Sequence, residues 1–211
     1  MERTTTRDHR HAAPIETTLD FLNTAELDGI GRPVEHLATF ADATAWLVEH
    51  DLLYAEESAP LDRLGTARQE HLLGHVRAAR SALREVVESL VVARPAAASA
   101  IAAVNELLRA RTVVELALAD GVLVTRNRHV GDALEDGLAR LADPLVESIT
   151  TGETGRLRIC ANDGCRWVFE DTCRTGRRRW CSMASCGNRA KAARHRARRR
   201  GQLPPATAVD P

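Results

Sequence analysis

Residues 157–200 read LRICANDGCRWVFEDTCRTGRRRWCSMASCGNRAKAARHRARRR, a stretch dominated by paired cysteines and arginine. Cys160, Cys165, Cys181 and Cys186 make two C-x4-C pairs, 15 residues apart. Zinc takes four deprotonated sulfurs in a tetrahedron, and two short loops brought together supply them. Arg158-Ile159-Cys160 reads as an incoming strand. Trp167-Val168-Phe169 and Arg179-Trp180-Cys181 read as hairpin strands with a turn among Thr172 to Arg178. Cys186 then falls in the first turn of a final helix, which predicts a treble-clef-like module. So few apolar residues cannot fold it unaided, and structural zinc contributes on the order of 10–16 kcal/mol in comparable peptides. Four cysteines leave no open coordination position, so one structural zinc is expected. Four unconnected buried thiols are the weaker alternative.

Cys173 is the fifth cysteine. It reads as an ordinary free thiol in the turn. The sharper alternative is a redox trigger, because neighbouring arginines favour a thiolate that attacks a zinc-bound sulfur.

The last pair opens into a basic helix. On a helical wheel Ala190, Ala193 and Ala197 share a narrow strip, suited to close packing against the hairpin. Lys191, Arg194 and Arg198 group on the far side beside His195, while Arg189, Arg196 and Arg200 form a second flank. Candidate nucleic-acid contacts are Arg177, Arg178, Arg179, Asn188, Arg189, Lys191, Arg194, Arg196 and Arg198. Asn188 and Arg189 have the chemistry to read adenine and guanine edges. Asn188 beside Gly187 equally suits holding the zinc knuckle. A solvated basic face without a partner is the competing reading, and such dense like charge argues against it.

The formal net charge of zero conceals a split. Arg156 to Arg200 carries 14 Lys and Arg against three acids, and the remainder is acidic in the same measure. That asymmetry points to a module facing nucleic acid or a membrane. It also raises autoinhibition, the acidic remainder covering the basic module. Lys191 is the only lysine; arginine suits bidentate phosphate and guanine contacts, although a GC-rich genome produces the same bias. The first residues are polar, and the most apolar run, Leu90 to Val104, is broken by Arg94 and Pro95. Cysteines in metal spacing suit a reducing compartment. A soluble cytoplasmic protein with no membrane partner is expected.

The fold class expected is α+β, a mainly helical N-terminal domain with a small β element before the zinc module. Residues 1–13 read as disordered, 14–150 as an α-rich domain, 151–156 as a linker, 157–200 as the zinc domain and 201–211 as a flexible tail. Ile15 to Thr24 is apolar and Thr-rich and reads as a strand. Thr39 with Asp42 reads as a capping box for a helix that fades near Leu52-Leu53. A long helix is expected from Leu61 to Val92. Pro95 then starts another, burying Ile101, Val104, Leu107 and Leu108. Asp120-Gly121 between Val113–Leu118 and Val122–Arg126 predicts a hairpin. Asp132 caps a helix carrying Leu134, Leu138 and Leu141, which Asp143-Pro144 kinks or restarts.

RRWCSMASCGNRAKAARHRARR, preceded by CANDGCRWVFED, resembles the CGNR zinc-finger family of bacterial proteins. There the finger follows an N-terminal domain called ABATE, and the proteins are described as predicted stress-induced transcription regulators. LDFLNT (Leu19 to Thr24) and the helix with Trp46 carry the weaker N-terminal resemblance. The family usually has serine where Cys173 stands. The resemblance implies one zinc on Cys160, Cys165, Cys181 and Cys186 and a role in transcription.

The first functional expectation is a DNA-binding transcription regulator whose N-terminal domain senses a small-molecule effector or mediates homodimerisation. An RNA- or ribosome-associated protein is the alternative, disfavoured by scarce exposed aromatics. An enzyme is the weakest case. His71 and His75 with Glu70 lack a third metal ligand, Asp20 and Asn23 suit a strand-end role, and no catalytic fingerprint is present.

Overall fold

Ile15–Asn23 forms helix α1, where a strand is expected. Threonine favours strands locally, but Ile15, Leu19 and Leu22 recur at helical spacing, and burying that face overrides propensity. Leu19, Phe21 and Leu22 are buried, and the Thr18 hydroxyl donates to the Leu141 carbonyl at 2.9 Å. The computed structural model describes residues 13–119 and 121–200, so the expectations for residues 1–12, for Asp120 and for the tail 201–211 lie outside the described residues. Ala13 itself is buried.

Strands β1 (Ala25–Leu27) and β2 (Pro33–Glu35) pair antiparallel, Ala25 opposite Glu35. The buried Arg80 holds this hairpin, donating to both Glu35 oxygens at 2.7 and 2.5 Å and to the Thr24 hydroxyl at 2.8 Å. Helix α2 (Phe40–Glu49) opens on the expected capping box of Thr39 and Asp42 and ends just before Leu52 and Leu53 enter the core.

The long helix is shorter than expected. Helix α3 (Ala55–Asp62) precedes it, and α4 (Thr66–Val91) starts after Gly65, which is extended. Leu61 and Leu64 pack on the core from α3 and the connecting turn. Helix α5 (Ala98–Leu107) begins three residues after Pro95, and its buried face is Ala100, Val104 and Leu107. Ile101 is 47% exposed, contrary to expectation. Strands β3 (Arg111–Ala119) and β4 (Val122–Val130) form the expected hairpin, with Gly121 in the left-handed region at φ 78°.

Helix α6 (Ala133–Thr151) opens on a reciprocal capping box of Asp132 and Glu135 and accommodates Pro144 internally. Its Gly137 lies against α2's exit: a Cβ there would meet the Leu52 carbonyl oxygen at 2.6 Å. Gly152 ends α6 in the left-handed region, and a 3-10 turn, Glu153–Arg156, occupies the stretch read as a linker. Strands β5 (Leu157–Ile159) and β6 (Val168–Glu170) pair antiparallel.

The core unites Phe21, Leu22, Leu47, Val76, Leu83 and Leu138 with other apolar side chains of the helices. Leu157 of β5 and Val168 of β6 belong to the same cluster. The zinc module is therefore seated on the helical body through shared apolar burial. A turn of π-helix, Met183–Gly187, leads into helix α7 (Asn188–Arg199). No helix among the described residues is long and apolar enough to cross a membrane.

Candidate metal centre and nucleic-acid interface

The first zinc loop leaves β5 at Cys160, whose N–H donates to the Trp167 carbonyl at 2.8 Å. Between the two cysteines Asn162 shapes the turn. Its carbonyl accepts from the N–H groups of Cys165 and Arg166 at 2.8 and 3.0 Å, and its side-chain oxygen accepts from Gly164 N–H at 3.2 Å. Arg166 takes a left-handed φ of 56°, and the Arg84 guanidinium from α4 holds its carbonyl at 2.7 Å.

The second loop runs from Cys181 into the π-helical turn. Ser182 caps that turn, accepting from Ser185 N–H at 3.4 Å. Cys186 lies in this turn, just ahead of α7 rather than inside its first turn. Gly187 permits the tight path, since a Cβ would fall 2.6 Å from the Met183 sulfur.

The four ligand sulfurs lie within 4.8 Å of one another. Cys165 and Cys181 are 3.7 Å apart, and Cys181 and Cys186 are 3.8 Å apart. A tetrahedron with Zn–S bonds of ~2.3 Å has sulfur–sulfur edges of about 3.8 Å, so the quartet fits one zinc ion. Burial pushes Cys165 up to about 11 against the opposing Trp167 backbone and Cys181 thiol, and burial together with the neighbouring thiols pushes Cys181 higher still. Cys186 goes the other way: burial opposes ionisation, but the Asn162 amide, 3.4 Å from its sulfur, and the neighbouring thiols outweigh it. Zinc supplies the positive charge that lets all four ionise, and its capture releases protons. Cys160, Cys165, Cys181 and Cys186 hold one structural zinc.

The expected second hairpin strand, Arg179-Trp180-Cys181, is not one. A single backbone bond, Ala161 N–H to the Arg179 carbonyl at 2.9 Å, joins it to the first zinc loop among the described residues. The loop 172–180 is organised instead by Asp171. Its fully buried carboxylate accepts from the N–H groups of Cys173 and Arg178 at 3.0 and 2.7 Å. Burial alone would raise its pKa, but these backbone donors, the Cys173 thiol and the Arg158 charge hold it below the usual carboxylate range. Buried donors and acceptors, not strand pairing, shape this loop.

The candidate cations divide by their contacts. Arg178 braces the loop, donating to the carbonyls of Trp180 (2.9 Å) and Cys181 and lying over the Phe169 ring at 4.8 Å. Arg179 is exposed and lies 5.2 Å over Trp180, and Arg177 is exposed. Asn188 donates to the Ala184 carbonyl at 3.3 Å, within the turn before its helix. Arg189 extends its guanidinium to the Gly29 carbonyl of the helical body, at 2.5 Å. Lys191, Arg194, Arg196 and Arg198 are exposed. Cys173 is exposed on the loop and stands outside the group of four sulfurs.

Helix α7 does not bury the alanine strip as expected. No residue of it is buried; Ala190 and Ala197 are half-buried and Ala193 is exposed. The helix is held at its start and presents its sides to solvent.

The pairings of Asn23 with Val168, of Glu26 with the Trp167 indole N–H, and of Gly29 with Asn162 and Arg189 were not foreseen from the sequence. The DGIG run from Asp28 to Gly31 signals a tight loop, but nothing local to it signals what the loop touches. Asp20 stays exposed, as do His71 and His75. The cysteine quartet is the only group able to hold a metal among the described residues.

Two family profiles match the chain. Residues 156–199 match the CGNR zinc finger, and residues 16–152 match ABATE, described as "Putative stress-induced transcription regulator". A search of curated proteins finds no match. Two profiles covering the helical body and the cysteine quartet in turn leave one assignment: the chain belongs to the ABATE family and carries a CGNR zinc finger behind its ABATE domain.

Proposed function

We propose that this protein is a zinc-dependent, DNA-binding transcription regulator whose helical body senses a small molecule or pairs two copies. Helix α7 carries the reading. It is 12 residues long, has no buried residue, and leaves Lys191, Arg194, Arg196 and Arg198 without an ion pair or hydrogen bond among the described residues. Such concentrated cationic charge repels itself, and a polyanion relieves it. Arg177 and Arg179 extend the basic surface from the Asp171-organised loop. Autoinhibition gains no support, since these side chains meet no acid of the helical body among the described residues.

Duplex DNA suits the surface better than single-stranded RNA. Trp167 and Trp180 are half-buried against the cysteines, and the Trp167 indole is bonded to Glu26, so neither offers a stacking platform. For effector sensing, a cleft of about 540 Å³ lies between α4, α5 and the start of α6. Ala79, Ala103 and Leu107 line its apolar floor, with His75, Glu106 and Glu135 at the rim. That volume falls in the ~300–1,000 Å³ range of small-molecule sites. We read it as a sensing pocket because small apolar side chains make up much of its lining.

The test is binding of zinc-loaded protein to random duplex DNA and to structured RNA across a salt series. If six to ten phosphates are engaged, duplex affinity falls by about 10³–10⁵ between 50 and 200 mM salt. A shallow dependence, or equal binding after chelation, overturns the reading.

A further inference from the structure

One carbonyl of the helical body receives one donor from the first zinc loop and another from the start of α7. Gly29 O accepts from Arg189 Nη1 at 2.5 Å and from Asn162 Nδ2 at 3.2 Å. Asn162 lies between the ligands Cys160 and Cys165, and Arg189 follows Cys186 by three residues. The Asn162 amide also reaches the Cys186 sulfur at 3.4 Å.

At two positions beside that carbonyl the contact is too close for a side chain. Gly29 has φ +86°, and a Cβ there would land 1.9 Å from Arg189 Nη1. A Cβ on Gly164 would meet Gly29 O at 2.9 Å and Gly31 N at 3.0 Å. The loop is shaped in advance: the Asp28 carboxylate accepts from the N–H groups of Ile30 and Arg32 at 3.0 and 3.1 Å. Arg80 anchors the strands beneath it through Glu35.

We propose that the Asp28–Arg32 loop is the docking socket of the zinc centre, and that Arg189 and Asn162 are positioning residues which set the bearing of α7 on the helical body while zinc is bound. Asn162 sits in the first zinc loop and Arg189 in the first turn of α7, directly after the second, and they converge on one oxygen only when those two segments are held together. The four sulfurs do the holding, because the apolar cluster around them is confined to Phe169, Trp167, Trp180 and the cysteines themselves. Docking and metal binding are therefore linked, and linkage is reciprocal: the factor by which zinc tightens docking is the factor by which docking tightens zinc. On this assignment Arg189 serves the fold of the finger on its partner, leaving Lys191, Arg194, Arg196 and Arg198 to face a polyanion.

The test uses the full chain and no nucleic acid, so it stands apart from the DNA-binding reading. Hydrogen exchange of residues 28–32, tryptic cleavage within α7, and zinc affinity by chelator competition are compared for wild type, Arg189→Gln and Gly29→Val. Removing the charged donor is expected to speed exchange at residues 28–32 by about tenfold and to weaken zinc by about the same factor. Chelation of wild type reproduces the exchange increase, and both variants expose α7 to trypsin sooner. Exchange at residues 28–32 that is indifferent to zinc overturns the proposal. So does Arg189→Gln with wild-type zinc affinity and exchange, including the case where it loses only DNA binding. Should Gly29→Val unfold the chain, Arg189→Gln, which removes only the tip of an exposed side chain, decides alone.

Discussion

Asn23 and the backbone of Val168 exchange two hydrogen bonds: the side-chain amide donates to the Val168 carbonyl at 2.9 Å, and its oxygen accepts from Val168 N–H at 3.0 Å. An α1 side chain thus completes β6 as a neighbouring strand would, in the buried seam between helical body and zinc module. Asn23→Ala leaves a buried N–H and C=O unpaired, and a loss of about 2–4 kcal/mol is expected in urea unfolding. Asn23→Asp is expected to do no better, because a carboxylate cannot donate to the Val168 carbonyl. Recovery of stability in Asn23→Asp would show that only the N–H is being served.

Zinc affinity should fall as pH drops, because capture must displace protons from thiols whose pKa is raised, Cys165 to about 11. Chelator competition between about pH 6 and 8 is expected to show that fall, and an affinity indifferent to pH would mean that no thiol proton is displaced.

Glu35 and Asp171 predict loss of stability in acid. For Glu35 burial opposes ionisation, but hydrogen bonds from Arg80 and from Leu37 N–H, with the Arg80 and Arg77 charges, bring its pKa below the usual carboxylate range. A depressed pKa contributes stability above the unfolded value and loses it as pH falls through the folded one. Urea midpoints should therefore decline below about pH 4, and Glu35→Gln should flatten part of that decline. Arg80→Met is expected to cost about 2 kcal/mol at pH 7, since it removes both guanidinium bonds to Glu35 and the donor to the Thr24 hydroxyl, leaving Glu35 only the Leu37 N–H and the more distant Arg77. An unchanged midpoint would mean the ion pair contributes nothing net.

Arg194→Glu with Arg198→Glu should weaken duplex binding at low salt and lower the salt slope by about one for each phosphate no longer neutralised. Both residues are exposed on α7, so zinc content and thermal midpoint should stay at wild-type values. A wild-type slope would place the DNA-contacting surface elsewhere.

Features whose chemistry lies within a few residues were legible in advance. The capping box of Thr39 with Asp42 is an i,i+3 pair, and Asp132 is a cap next to the helix it starts. The turn at Gly121 and the paired cysteines are likewise local signals. The reading failed where propensity competes with burial. Ile15–Asn23 is helical because Leu19, Phe21 and Leu22 need one buried face, and Ile101 is exposed because α5 turns Val104 and Leu107 inward. Cysteine spacing and the basic run that follows thus specify the metal, the ligands and a cationic helix. How finger and helical body join is set by long-range packing. Asn23 meets Val168 across 145 residues, and Gly29 meets Arg189 across 160. Leu157 and Val168 enter the common core. Contacts across such separations depend on where packing brings two surfaces together, and no local pattern of side chains encodes that.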